Sequence, residues 1–312
     1  MKNGKTKETL LVAFGGNALI RKGQEGTVEE QLKNLVVPIK QIARLSRDYR
    51  IIITHGNGPQ VGHLLIQQEF CDKLSRLPLE ILVAQTQGWI GYMIESTLDT
   101  ELMELGLDKD QRFVSLLSYV VVDERDPAFK NPSKPIGPIL TEEERRTVDY
   151  PTVKTHKGYR RVVVSPEPVT IVEKREIRDL IEKDYIVICC GGGGIPVIRE
   201  GRKFCGVDAV IDKDLASAKL AEEVGVDIFL IATDVPGVAI NYGKPDQHFL
   251  RTMTLIEADR YKKEGHFSEG SMLPKVVACA RFIRSCGQRA LVTALEDIER
   301  GLAGEAGTEF VR

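Results

Sequence analysis

The chain contains no apolar run approaching the ~18 residues a bilayer-crossing helix needs. Its first apolar segment, Leu10–Phe14, is short and runs straight into glycines, so Lys2, Lys5 and Lys7 before it are not expected to begin a secretory leader. Neither sign of charge dominates. The 43 Lys and Arg face 45 Asp and Glu, a formal net charge of -2, which argues against a nucleic-acid surface or an acidic tail. The six cysteines show no C-x-x-C spacing, and Cys189 and Cys190 are neighbours in a core-like strand. They read as buried thiols of a reducing cytosol rather than disulfide or zinc ligands. Repeats, low-complexity segments and polar linkers are missing too.

Several catalytic signatures are absent. No G-x-x-x-x-G-K-[ST] exists, which excludes a Walker-type phosphate loop. No G-x-G-x-x-G opens a βαβ unit: "GGGGIP" puts proline where the last glycine should stand, and "GNGPQVG" has the wrong spacing, so dinucleotide binding is not expected. Neither H-E-x-x-H nor G-x-S-x-G occurs.

What is present is an alternation of short apolar runs with amphipathic stretches over 312 residues, which predicts an α/β fold with a mainly parallel sheet. Strands are expected at Leu10–Phe14, Ile51–Thr54, Phe113–Val122, Tyr185–Cys190, Asp227–Ala232 and Ala290–Thr293. Helices are expected at Thr27–Arg47, Gln60–Phe70, Leu79–Leu105, Glu173–Lys183, Asp212–Val224 (with Gly225 as C-terminal cap) and Ser271–Cys286, with Gly287 past its end. Residues 123–168 hold seven of the 14 prolines and little periodicity. That is too long for an ordinary loop and reads as a protruding subdomain or lid, with an ordered strand at Tyr159–Val164. The chain thus reads as one domain of two lobes, 1–185 and 186–312.

Three strands end in glycine loops: "FGGNA" at 14–18, "THGNGP" at 54–59 and "CCGGGG" at 189–194. In a parallel sheet all three fall on one edge, where glycine lets an anion approach backbone N–H groups. One loop alone is also compatible with a tight turn; three suggest an extended anionic ligand. Lys213, after the N-cap candidate Asp212, and Lys275, after Ser271, sit near helix N-termini, where a cation is disfavoured by about 0.3–1 kcal/mol unless an anion joins it. Asp214 could hold Mg²⁺, orient Lys213, or simply complement the helix dipole. "TDVPGV" at 233–238 could bound an adenine pocket, and Tyr242 could stack on a base or be a packed tyrosine. Lys134 is braced by Pro132 and Pro135. Arg160 and Arg161 are either a solvated strand end or an anion contact.

The blocks "LVAFGGNAL", "ITHGNGPQVG", "QGWIGYMI", "DPAFKNPSKPIGP", "RRVVVSPEP", "CCGGGGIPV", "GVDAVIDKDLASAKLAEEV", "TDVPGVAINYG" and "EGHFSEGSMLPK" resemble the ordered motifs of carbamate kinases, in the amino-acid-kinase superfamily, from about residue 10 to 310. The resemblance implies a three-layer αβα open sandwich, a cytoplasmic homodimer, and phosphoryl transfer between ATP and carbamate with Mg²⁺, giving ADP and carbamoyl phosphate. The resemblance also implies a reaction that can run toward ATP, as in arginine fermentation by this family. The resemblance gives Lys134, Lys213 and Lys275 to the phosphoryl group, with Asp214 organising the lysines. Gly15, Gly16, Asn17, Gly56, Asn57, Gly58, Gly192 and Gly193 fall to the acyl phosphate. Thr233, Asp234, Val235, Tyr242 and Met272, with Lys213 and Lys275, fall to the nucleotide. Two departures stand out. Leu273 replaces the second glycine of the usual "GSMGPK", which is expected to narrow the nucleotide side. "QTQG" (Gln85–Gly88) stands where "MSQG" is frequent.

Overall fold

The computed structural model describes residues 7–312 apart from positions 16, 17, 22, 71, 72, 156, 157, 287 and 288. Gly16, Asn17 and Gly287 therefore lie outside the described residues. The first half runs β1 (Glu8–Phe14), α1 (Val28–Leu45), β2 (Tyr49–His55), α2 (Gly58–Glu69), α3 (Leu79–Glu104), β3 (Arg112–Ser115) and β4 (Tyr119–Val121). Next come β5 (Lys134–Leu140), α4 (Glu142–Thr147), β6 (Thr152–Thr155), β7 (Gly158–Val163) and β8 (Thr170–Ile171). The second half runs α5 (Lys174–Glu182), β9 (Tyr185–Ile188), β10 (Ile195–Glu200), β11 (Lys203–Gly206), α6 (Lys213–Val224), β12 (Ile228–Thr233), β13 (Ala239–Ile240), β14 (His248–Phe249), β15 (Thr252–Thr254), α7 (Leu255–Lys263), α8 (Met272–Cys286), β16 (Arg289–Ala294), α9 (Ile298–Leu302) and β17 (Thr308–Val311).

The central sheet has the order β15-β17-β16-β12-β1-β2-β9-β3 and is parallel except where β16 meets β17. Its strands are apolar on both faces because both faces are covered. Along β1, Leu11 and Ala13 join a cluster with Ile177 of α5, Leu220 of α6 and Phe282 of α8. The alternate residues Leu10, Val12 and Phe14 join Ile39 of α1 and Ile94 of α3 on the other face. Each of these side chains other than Ala13 contributes about 1.5–3 kcal/mol on full burial. The result is the expected three-layer αβα arrangement. No described helix is long and apolar enough to cross a membrane. Among the described cysteines, Cys189, Cys190, Cys205 and Cys279 are free thiols.

Helix ends follow their local signals. Thr27 and Glu30 close α1 with a reciprocal capping box. Asp212 caps α6 through the N–H groups of Asp214 and Leu215, and Gly225 ends that helix at φ 83°.

The expected single strand Phe113–Val122 is instead two. β3 is an edge of the central sheet, whereas β4 belongs to a second sheet of order β11-β10-β4-β8. The chain leaves the first sheet at Leu116, whose N–H donates to Ile188, and is turned at Ser118, held by Gln87 of α3. Apolar residues lie on both sides of that turn, so hydrophobicity alone did not mark the break. The division near residue 185 falls inside the central sheet, because β9 is inserted between β2 and β3. Residues 123–168 contain a three-stranded antiparallel sheet, β5-β7-β6, with α4 between β5 and β6.

Candidate active site

Strands β1, β2 and β9 are consecutive parallel neighbours, with β12 on the other side of β1, so the loops after all four share one edge. At that edge, between the central sheet and the small β5-β7-β6 sheet, lies a cavity of about 420 Å³. Its wall brings together Gly15, Gly56, Asn57, Gly58, Gly192, Lys134, Lys213, Asp214, Thr233, Asp234 and Lys275, all of them expected site residues. A second cavity, of about 730 Å³, adjoins it and shares Lys134, Arg160, Asp212 and Ser271.

The centre of the site is an ion triad. Lys213 is the first residue of α6 and Lys275 the fourth of α8; each is 8% exposed. Their ammonium groups meet the two oxygens of Asp214: Lys213 binds Oδ1, and Lys275 reaches Oδ2 at 2.9 Å. Burial alone would push the Asp214 carboxyl upward, but the two ammonium groups outweigh it and hold the carboxyl well below the usual range. Burial likewise opposes charge on both lysines. It lowers Lys213, whereas Lys275 is raised because Asp214 prevails there. The lysines are therefore not uncompensated cations at helix starts. Asp214 is committed to them, which favours its orienting role over metal binding.

Lys134, braced by Pro132 and Pro135, stands at the start of a strand. It is the first residue of β5, opposite Val163, and its ammonium binds Asp212 Oδ2. Asp212 thus caps α6 with one oxygen and binds Lys134 of β5 with the other.

The tetraglycine turn also meets a packing need of its own. Cys190, Gly192, Gly193 and Gly194 have φ of 50°, 66°, 90° and 85°. A Cβ at Gly191 would lie 2.4 Å from His55 Nε2, at Gly192 2.2 Å from Asn57 Nδ2, at Gly193 2.4 Å from the Ile211 carbonyl oxygen, and at Gly194 2.2 Å from Val120. The protein's own packing thus requires all four. Gly193 is absent from both cavity walls, and its N–H donates to Cys190. The N–H groups of Gly15 and Gly56 are likewise spent, on Ala232 at 2.8 Å and Phe14 at 3.2 Å. The side-chain amide of Asn57 donates to Thr86 Oγ1 at 2.8 Å. His55 is buried, and its pKa falls to about 4, first through burial, so it is neutral near pH 7.

Three expected nucleotide residues stand apart. Val235, Tyr242 and Met272 line neither cavity; Tyr242 is 63% exposed, and Met272 packs on the core beneath α8. Leu273 does line the larger cavity. Gln85 faces a separate hollow with Leu64 and Leu82. The sequence reading passed over two neighbours of Gln85 that support the site. Thr86 holds Asn57, and Gln87 bonds Ser118 and the Gly191 carbonyl. Helical phase was the available signal, since positions 86 and 87 lie on the buried face of α3.

Among the described residues no group of three or more His, Cys, Asp or Glu could hold a metal ion. Two of the three cavity carboxylates, Asp212 and Asp214, are taken by lysines. These residues do not form a dedicated Mg²⁺ cage.

The chain matches the amino acid kinase family over residues 8–294. It is 48% identical to the carbamate kinase of Thermococcus kodakarensis, covering 97% of this chain and 99% of that one. It is 45% identical to that of Pyrococcus horikoshii, over 97% and 98%. The solved structure of Giardia lamblia carbamate kinase bound to AMP-PNP aligns with a TM-score of 0.89 at 37% identity, covering 98% of each chain.

Proposed function

Because this chain belongs to the amino acid kinase family, and within it to the carbamate kinases, we propose that it transfers a phosphoryl group reversibly between ATP and carbamate, giving ADP and carbamoyl phosphate. The observation that carries this reading is the convergence of Lys213, Lys275 and Lys134 on one cavity from three separate elements. Phosphoryl transfer needs in-line placement and positive charge on the equatorial oxygens more than covalent help. Carbamate is already an anion, so no base is required to activate it.

In this reading the acyl phosphate lies in the smaller cavity, against the glycine loops. The nucleotide occupies the larger one, beside Leu273. Lys213 and Lys275 neutralise the phosphoryl group from the body, and Lys134 reaches it from the lid on leaving Asp212. Mg²⁺ is brought by the nucleotide phosphates, because Asp212 and Asp214 are engaged by lysines. Assembly as a cytoplasmic homodimer belongs to the same proposal.

The test is ATP formation from ADP and carbamoyl phosphate in a coupled assay, run beside calorimetric titration of ADP. Lys134→Ala is expected to impair use of carbamoyl phosphate severely while ADP affinity holds within about twofold, under ~0.4 kcal/mol. Absence of ATP formation by the wild-type chain would refute the activity. A tenfold loss of ADP affinity in the variant would refute the role given to the lid.

A further inference from the structure

Among the described residues that line the smaller cavity, Arg160 is the cation that the roles above leave unmatched. Lys134 has Asp212, and Lys213 and Lys275 share Asp214. The adjacent Arg161 is matched as well: Nη1 donates to Glu69 at 3.0 Å, and its guanidinium lies 4.3 Å from the Tyr150 ring centre. Arg160 instead donates Nε and Nη2 to one neutral acceptor, the Gly137 carbonyl, at 3.1 and 2.8 Å. No ion pair forms at Arg160 among the described residues. The carbonyl fixes the direction of the guanidinium without neutralising it, and among the described residues Nη1 and the second Nη2 hydrogen meet no acceptor.

Its position makes this informative. Arg160 lines both cavities where they join. The smaller cavity carries Lys134, Arg160, Lys213 and Lys275 against Asp212, Asp214 and Asp234, so positive charge exceeds negative there. Burial lowers the pKa of Arg160, yet a guanidinium keeps its charge at any working pH. A charge withdrawn from water without a counter-ion is unfavourable until an anion joins it. Two further facts select the anion. Arg160 is mounted on the same small sheet as Lys134, and it shares the smaller cavity with the glycine loops and the Asp214 triad.

We propose that Arg160 is a further substrate-binding residue, holding oxygens of the acyl phosphate's phosphoryl group from the lid while Lys213 and Lys275 hold it from the body. The proposal rests on the carbamate kinase reading. A planar fork suits two oxygens of one phosphoryl group, which a lysine cannot match.

The experiment compares the full-length wild type with Arg160→Gln and Arg160→Lys. ATP formation is measured with carbamoyl phosphate and ADP varied in turn. ADP and inorganic phosphate are each titrated calorimetrically, and thermal melting is recorded. Arg160→Gln is expected to raise KM for carbamoyl phosphate at least tenfold, weaken inorganic phosphate comparably, and leave ADP affinity within twofold. Arg160→Lys is expected to recover part of the loss. An unchanged KM overturns the proposal, and so does a tenfold loss of ADP affinity. A lowered melting temperature with equal kinetic defects in both variants also overturns it, because tethering Gly137 would then be the whole role. If the wild type makes no ATP, the carbamate kinase reading fails, and the phosphate titration decides the anion site alone. Weaker phosphate binding in Arg160→Gln upholds it; equal binding removes it.

Discussion

The cations of this site are held in two different ways. On the body, Lys213 and Lys275 start from two helices, are almost wholly buried, and are aimed by one carboxylate packed between them. On the lid, the Lys134 side chain is 26% exposed and is tied to Asp212, while Arg160, among the described residues, is held by a carbonyl alone. The body's charges are fixed before any ligand arrives, the condition under which they act most strongly on a transition state. The proposed function requires the lid's charges to change partner. One region is preassembled and the other exchangeable, which suits a reaction that must fix a phosphoryl group in flight yet release an acyl phosphate.

The largest expected effect breaks the body. Lys213→Ala or Lys275→Ala should lower kcat on the order of 10²–10³, the range for losing one transition-state donor. Folding stability should change little, because Asp214 and the remaining lysine still form a neutral pair. Asp214→Asn should do the reverse. It leaves two buried ammonium groups without a counter-charge, at about 3–5 kcal/mol. The pH sign follows from the depressed Asp214 carboxyl. Its contribution is complete above the unfolded value near ~4 and is lost as pH falls through the lower folded value. Denaturant titrations at pH 7 and pH 3 check this. A fully stable Asp214→Asn protein at pH 7 would mean that the body is not preassembled.

Much of the body was legible in the sequence. The ends of α6 carry both of their signals in adjacent residues, Asp212 and Gly225, so Lys213 and Asp214 could be placed on the first turn. The shared edge of the glycine loops followed from alternating apolar runs. What could not be read was pairing at a distance. Asp214 and Lys275 lie 61 positions apart, and Lys134 and Asp212 lie 78 apart. Asp212 therefore looked like a cap and nothing more. The tetraglycine turn shows the same limit. A glycine reveals that something comes close but not what. Here the neighbours are His55, Asn57, Ile211 and Val120, in three other parts of the chain. Arg160 and Arg161 looked equivalent, and only their partners separate them.

A smaller effect is expected at the seat of the lid. Helix α2 meets β5 at Gly62 and Gly137, where a Cβ on residue 62 would sit 2.0 Å from the Gly137 Cα. Backbone lies on both sides, so the lid must shift. Gly62→Ala should cost about 1–3 kcal/mol, as overpacking does, and raise KM for carbamoyl phosphate while ADP affinity holds. Gly88→Ala is the matched control, since a Cβ there meets nothing within 4 Å. Equal KM in the two variants would show that the lid does not depend on this contact.

The smallest effect should come where the two regions touch. Asp212 Oδ1 accepts from the N–H groups of Asp214 and Leu215, at 2.9 and 3.3 Å, and Oδ2 holds Lys134. Asparagine keeps the first function, because its carbonyl oxygen can still cap the helix, but it removes the charge that holds the lid lysine. Asp212→Asn should therefore lose less stability than Asp212→Ala, which gives up about 1 kcal/mol of capping as well. A partly exposed ion pair is worth at most about 1 kcal/mol. An acyl phosphate that no longer competes with Asp212 for Lys134 should then bind up to about fivefold more tightly. The measurement is KM for carbamoyl phosphate in both variants, beside denaturant midpoints. A lower KM in Asp212→Asn, with stability nearly kept, would show that the lid's charge is exchangeable. A raised KM would mean that Asp212 holds Lys134 in its working position, and the lid would then be as preassembled as the body.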